Sequence, residues 1–265
     1  MKSLSFVFRV IRIILHLITA LWTCAVIFPL TNAAGRAWRT RHWSVQLLAL
    51  CRLKLEIERR AAPQDDGHAL AVCNHISWLD IFVINSMQPT HFVAKADIRD
   101  WPLIGWLCET AGTVFIARGR MRDVRRIFEN LVNSLRNGDH VAFFPEGTTA
   151  SQGTLLPFHA NLFEAAIDAR VPIQPYALRY LDAQGKYHPS VDFIGDMSFV
   201  ESMLAILRGE PITAKLMVLP LIESTELHRR ELAQACHTAV AAALDISPVS
   251  APAGNQPEPR NGLAN

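Results

Sequence analysis

Four short segments place chemically capable side chains where an apolar run gives way to a polar turn. The first is Cys73-Asn74-His75-Ile76-Ser77-Trp78-Leu79-Asp80. A histidine in such a turn and an aspartate one helical turn further on can fold back on each other. The carboxylate then fixes the imidazole tautomer and stabilises the imidazolium formed when a proton is taken, which makes a general base with its orienter. A structural reading competes, because Ser77-x-x-Asp80 also spells a capping box. The second segment, Gly112-Thr113-Val114-Phe115-Ile116-Ala117-Arg118, delivers a guanidinium whose planar fork suits a phosphate or carboxylate. Arg122, Arg125 and Arg126 follow on the polar face of a helix and read as solvated; Arg118 precedes that helix. The third, Phe143-Phe144-Pro145-Glu146-Gly147-Thr148-Thr149, supplies a carboxylate and a glycine that permits close backbone approach, although Pro-Glu-Gly by itself is also a plain turn. The fourth, Val171-Pro172-Ile173-Gln174-Pro175-Tyr176, is an apolar strand guarded by two prolines, which ordinarily marks a sheet edge.

Strands that end in such turns need a sheet behind them. Short apolar runs alternate with helical stretches after the turn Pro63-Gln64-Asp65-Asp66-Gly67, the pattern of a single α/β domain with a mostly buried mixed sheet flanked by helices. Strands are expected at Ala69–Cys73, His91–Ala94, Thr113–Ile116, His140–Phe144, Ile173–Leu178 and Ala214–Leu219. Met121–Arg136 reads as a helix with Val124, Ile127, Phe128, Leu131, Val132 and Leu135 on one face, stopped by Asn137-Gly138. A last helix is expected from about Thr225, capped by Ser224, to Leu244. Residues 246–265 are expected to be a disordered tail.

The N-terminus has a different character. Residues 1–60 carry ten Lys/Arg against two Glu, although the whole chain of 265 residues nets only +2. Within them, Ile13–Gly35 is free of formal charge and as a helix would span roughly 34 Å, enough for the hydrocarbon core of a bilayer. The run exceeds the core of a cleaved leader, and five cysteines without paired spacing suggest a reduced compartment, so 1–60 is expected to be an uncleaved membrane anchor. Arginines flank the run on both sides, which fits a hairpin with both ends cytoplasmic as well as a single spanning helix. Pro29, Asn32 and Gly35 would make its turn, with Trp38 and Trp43 at headgroup level leading into an amphipathic helix through about Arg52. Residues 61–245 would then be the catalytic domain.

Taken in order, the four segments resemble the lysophospholipid acyltransferases of the 1-acylglycerol-3-phosphate type. The blocks of that family run H-x-x-x-x-D, G-x-x-F-I-x-R, F-P-E-G-T-R and V-P-I-x-P. Here they stand as Asn74–Asp80, Gly112–Arg118, Phe144–Thr149 and Val171–Pro175. Phe92-Val93-Ala94-Lys95 and Pro102-Leu103-Ile104-Gly105 are also similar to the family, and the resemblance covers about residues 68–180. It implies His75 as general base, Asp80 as its partner, and Phe115, Arg118, Glu146, Gly147 and Thr148 as substrate-binding residues. It implies acyl transfer from acyl-ACP or acyl-CoA to the free hydroxyl of 1-acyl-sn-glycerol 3-phosphate; the charge-free run, its basic flanks and the unpaired cysteines add the expectation of an inner-membrane protein whose catalytic domain faces the cytoplasm. No metal, organic cofactor or nucleic-acid partner is implied. One position departs from the pattern: Thr149 stands where the third block has arginine, which leaves room for a lysolipid without a phosphate, such as a lyso-ornithine lipid. Hydrolysis by a serine esterase would need a Gly-x-Ser-x-Gly elbow, which the chain lacks. A purely membrane-binding protein would need only the anchor, and nothing in that role predicts His75, Asp80 and Glu146 at strand ends.

Overall fold

The computed structural model describes residues 2–60, 68–116 and 121–246. Seven strands form one mixed sheet: β1 (Leu53–Arg59), β2 (Leu70–Cys73), β3 (His91–Lys95), β4 (Val114–Ile116), β5 (Val141–Phe143), β6 (Ile173–Leu181) and β7 (Ile212–Val218). Their order across the sheet is β1-β7-β6-β2-β5-β3-β4. All neighbours run parallel except β6 and β7. The helices are α1 (Lys2–Trp22), α2 (Ala33–Leu50), α3 (Leu79–Met87), α4 (Ile104–Thr110), α5 (Met121–Arg136), α6 (Glu164–Ala169), α7 (Phe199–Arg208) and α8 (Arg229–Ala243).

Alternation along the strands sorts the core into two faces. Ala71 and Cys73 of β2, Ala142 of β5 and Leu178 and Tyr180 of β6 pack with Ile13 of α1, Leu47 of α2 and Leu79 and Val83 of α3. Leu70, Val72, Val141, Phe143 and Ile173 point the other way, onto Leu131 and Leu135 of α5, Ala165 of α6 and Leu232 of α8. The mixed, helix-flanked sheet expected from the sequence is therefore present, and α5 has the predicted bounds. Gly138 ends α5 at φ +88°, where a residue with a Cβ would be strained.

Several elements differ from the sequence reading. β1 lies within the segment expected to be anchor alone: Leu53, Leu55 and Ile57 alternate with Lys54, Glu56 and Glu58 in a period-two pattern, and the strand forms a sheet edge beside β7. α7 also went unread, although Ser198 and Glu201 form a reciprocal capping box at its start. β6, expected at an edge, lies inside the sheet. Its Pro175 sits opposite Leu219, whose N–H donates to the Pro175 carbonyl (3.1 Å). The return bond that proline cannot make is replaced by Gln174 Nε2 donating to the Leu219 carbonyl (2.6 Å). The last helix begins at Arg229, after Glu231 accepts from the His228 N–H, rather than at Thr225. Ser224 is not its cap; the buried hydroxyl donates to the Val171 carbonyl (2.7 Å). The 63–67 turn, Arg118 and residues 247–265 of the expected tail lie outside the described residues.

The N-terminus folds as a helical hairpin. After α1 the chain passes through one π turn (Thr23–Ile27) and one 3-10 turn (Phe28–Leu30), and Asn32 caps α2 by accepting from the Gly35 N–H (2.9 Å). His16 stacks on Trp43 at 4.4 Å, and Trp43 Nε1 donates to the His16 carbonyl. Trp43, expected at headgroup level, is instead a packing residue between the two helices and Phe82 of α3. All five cysteines are free.

Candidate active site

The crossovers that leave β2 and β5 diverge. α3 covers one face of the sheet and α6 the other, so these adjacent strands flank a crevice at their carboxyl ends, the switch point where open α/β sheets place ligands. The first and third sequence blocks meet there. The His75 ring stacks on Phe144 with centroids 3.9 Å apart and planes 10° from parallel. His75 Nδ1 lies 2.8 Å from Asp80 Oδ2, which leaves Nε2 on the ring's far edge, and the imidazole is 19 % exposed.

Asp80 is wholly buried, and a buried carboxylate must be supplied with donors. Oδ2 also accepts from the backbone N–H of Ile76 (2.7 Å) and Ser77 (3.0 Å), and Oδ1 accepts from the Tyr180 phenol (2.6 Å). The bond from the Ser77 N–H is half of the capping-box geometry considered above. Asp80 Oδ2 thus holds His75 and half of that pattern, while Ser77 does not cap α3 and its hydroxyl makes no hydrogen bond among the described residues. Tyr180 lies a hundred residues from Asp80 and beyond the four blocks; it reaches the site because β6 and β2 are neighbours and Tyr180 faces α3.

The turn that carries His75 is tied down on every side. Asn74 exchanges two bonds with the Leu178 backbone (2.9 and 2.8 Å). The His75 carbonyl accepts from the Ala150 N–H and the Ile76 carbonyl from the Phe193 N–H. Glu146, expected among the substrate-binding groups, is buried and faces inward: Oε1 accepts from the His75 N–H (2.7 Å) and Oε2 from the Leu156 N–H (2.8 Å). Burial pushes its carboxyl up to about 7, against those two bonds, which favour the charged form. Gly147 takes φ +69° with its N–H on the Phe144 carbonyl, and Thr148 is exposed beside it. Thr149 donates its hydroxyl to the Phe193 carbonyl, so the position where the family pattern has a cation serves as a loop clasp.

Phe115 is half-buried on the edge strand β4, three places from β2, or about 14 Å at ordinary strand spacing. It shares the carboxyl edge of the sheet with His75 without touching it, and Arg118 follows β4 outside the described residues. Two neighbouring groups of nucleophilic type are poorly disposed to form a covalent intermediate. Burial and the nearby Asp80 and Glu146 charges push the Cys73 thiol well up, and the buried Ser77 hydroxyl has no hydrogen-bond partner among the described residues. Among the described residues no three His, Cys, Asp or Glu side chains gather in a metal-binding group.

Fold and site together define an α/β enzyme with an imidazole–carboxylate pair at the switch point of its sheet. Residues 54–179 match the Acyltransferase family. The chain is 38 % identical over 205 residues to the lyso-ornithine lipid O-acyltransferase of Pseudomonas aeruginosa, covering 77 % of this chain and 78 % of that one. It is 44 % identical over 140 residues to the 1-acyl-sn-glycerol-3-phosphate acyltransferase of Neisseria meningitidis, covering 53 % and 54 %. The crystal structure of the 1-acyl-sn-glycerophosphate acyltransferase of Thermotoga maritima shares the fold, with a TM-score of 0.68 over 92 % of this chain and 97 % of that one at 18 % identity. The chain belongs to the acyltransferase family, as the four blocks had implied, and it is an acyltransferase.

Proposed function

We propose that this enzyme moves a fatty acyl group from a thioester, acyl-ACP or acyl-CoA, onto the free hydroxyl of a lysolipid. The observation that carries this reading is the His75–Asp80 pair in the switch-point crevice, with no activated nucleophile beside it among the described residues. Asp80 holds the Nδ1–H, so Nε2 is free to take the proton of the acceptor hydroxyl as its oxygen attacks the thioester carbonyl. The tetrahedral intermediate collapses by expelling the thiolate, and the imidazolium returns the proton to sulfur. Direct attack needs no acyl-enzyme, which fits the inert states of Cys73 and Ser77.

For the acceptor, 1-acyl-sn-glycerol 3-phosphate is the first reading, supported by the 44 % identity to the Neisseria enzyme, with Arg118 as the group best placed in sequence to meet its phosphate. A lyso-ornithine lipid is the second. It is favoured by Thr149 in the arginine position and by relatives named for that activity, from Pseudomonas aeruginosa and Rhodobacter capsulatus, that match 77 % and 64 % of the chain. Assaying both lysolipids against wild type and Thr149→Arg separates them. With a phosphate acceptor, wild type acylates the glycerol phosphate and the substitution is neutral or mildly activating. Acylation of the ornithine lipid alone, depressed by the added like charge beside the ornithine ammonium, would overturn the first reading.

We further propose that α1 lies along the cytoplasmic surface of the inner membrane. One segment, Ser5–Leu30, is long and apolar enough to span. However, one side of α1 is docked: Ile13 is buried in the domain core, Arg9 donates to the Leu207 carbonyl (2.8 Å), and Arg208 lies over the Phe6 ring. Phe8, Ile11, Leu15, Ile18 and Trp22 form an exposed apolar stripe on the other side, suited to shallow immersion. Cysteines introduced as Ser5→Cys and Arg36→Cys should both react with an impermeant maleimide from the cytoplasmic side of sealed vesicles. Labelling from opposite sides would mean that the helix spans.

A further inference from the structure

Among the described residues, the Tyr180 phenol is the one donor to Asp80 that comes from outside the His75 turn and its following helix. Both residues are fully buried, so water does not compete for the bond. Asp80 Oδ2 collects His75 Nδ1 and two backbone N–H groups, all within its own turn. Oδ1 has the phenol, which arrives from β6 across the sheet. That bond fixes the second oxygen, and with it the carboxylate plane that Nδ1 must meet. It also draws charge away from the oxygen that faces the imidazole. Tyr180 is itself held in place: its N–H donates to Gln152 Oε1 (2.7 Å) and its carbonyl accepts from the His188 N–H (3.0 Å).

We propose that Tyr180 is a positioning residue for the acyl transfer, acting through Asp80 to set both the orientation and the basicity of His75. This inference rests on the reading of His75 as the base. Burial and the Asp80 charge push the phenol well up, so it stays an O–H donor throughout the working pH range. The other titratable groups facing the cluster are Glu146, Cys73 and Cys51. Cys73 is held well up and Cys51 at about 12, so both stay neutral. Glu146, at about 7, is common to every variant compared and cancels in the difference.

The test uses full-length protein in detergent micelles. Tyr180→Phe keeps the ring and removes only the donor, leaving more charge on Asp80 to favour the imidazolium. The His75 imidazole, assigned by NMR as the histidine signal lost in His75→Ala, should then titrate at higher pH, and the acid limb of kcat should move with it. The freed carboxylate plane should outweigh the more basic ring, so we expect kcat to fall roughly tenfold, the scale of one hydrogen bond to a charged group, with KM for thioester and lysolipid within twofold. Installing 3-fluorotyrosine at position 180, a stronger donor of the same shape, should move the titration to lower pH, and it carries the test if the phenylalanine variant folds poorly. A lower melting temperature with unchanged titration, limb and kcat would make Tyr180 merely structural and overturn the proposal. If the imidazole shifts in both variants but His75→Ala remains active, the coupling stands and the base assignment falls.

Discussion

His75→Ala should lower acyl transfer by about 10²- to 10⁴-fold, the scale of a lost general base, while the protein stays folded. Among the described residues the side chain makes one polar contact, to Asp80, and one ring contact, to Phe144. The backbone bonds of residue 75 to Glu146 and Ala150 do not depend on the imidazole. Losing the ring withdraws one of four donors from Asp80, a cost of about 1–2 kcal/mol that leaves a stable fold. The measurement is turnover with a labelled thioester, with and without lysolipid, alongside a melting curve. A loss of only a few-fold with an intact melting curve would remove His75 from the chemistry.

Asp80→Asn should be nearly as damaging, for a reason the geometry sharpens. The remaining carbonyl oxygen can turn to the three donors at Oδ2, and the new amide can face Tyr180, whose hydroxyl rotates to accept. Shape and tautomer can therefore survive; the charge that stabilises the imidazolium cannot. We expect a loss of at least about 10²-fold in kcat, with a melting temperature lower by a few degrees because two backbone donors now meet a neutral acceptor. An enzyme that melts lower yet turns over normally would show that the carboxylate only holds the turn.

The strand ends that carry the site were legible because a buried strand running into a polar turn is a local signal, and the first three blocks lie where β2, β4 and β5 end, whereas the fourth opens β6. What the sequence concealed depended on neighbours far along the chain. Pro175 argued for an edge because a missing N–H normally ends a ladder, and nothing local shows that the adjacent Gln174 amide fills the gap from inside a sheet. Ser224 looked like a cap by type, but the Val171 carbonyl claimed it first. Glu146 looked like a ligand for substrate, whereas its oxygens are used on the backbone of two loops. Tyr180 carried no motif, and its relation to Asp80 appears only once β6 is known to lie beside β2. β1 and α7 are different cases: alternation at Leu53–Ile57 and Ser-x-x-Glu at 198–201 were readable, but the basic composition of the first sixty residues masked the one, and the other lay in a stretch given no element.

The docking of α1 means that the apolar N-terminal hairpin and the catalytic domain are not severable. Phe6, Val10, Ile13 and Leu17 belong to the same apolar cluster as Ala71, Cys73 and Leu79 around the His75 turn, and β1, only a few residues past α2, completes the sheet. Cutting the chain after Leu30 to obtain a soluble enzyme would strip one wall from that cluster, forfeiting about 2 kcal/mol for Ile13 alone, and would bare new apolar surface in the attempt to remove some. The N-terminal hairpin is no leash that can be cut; it is part of the masonry.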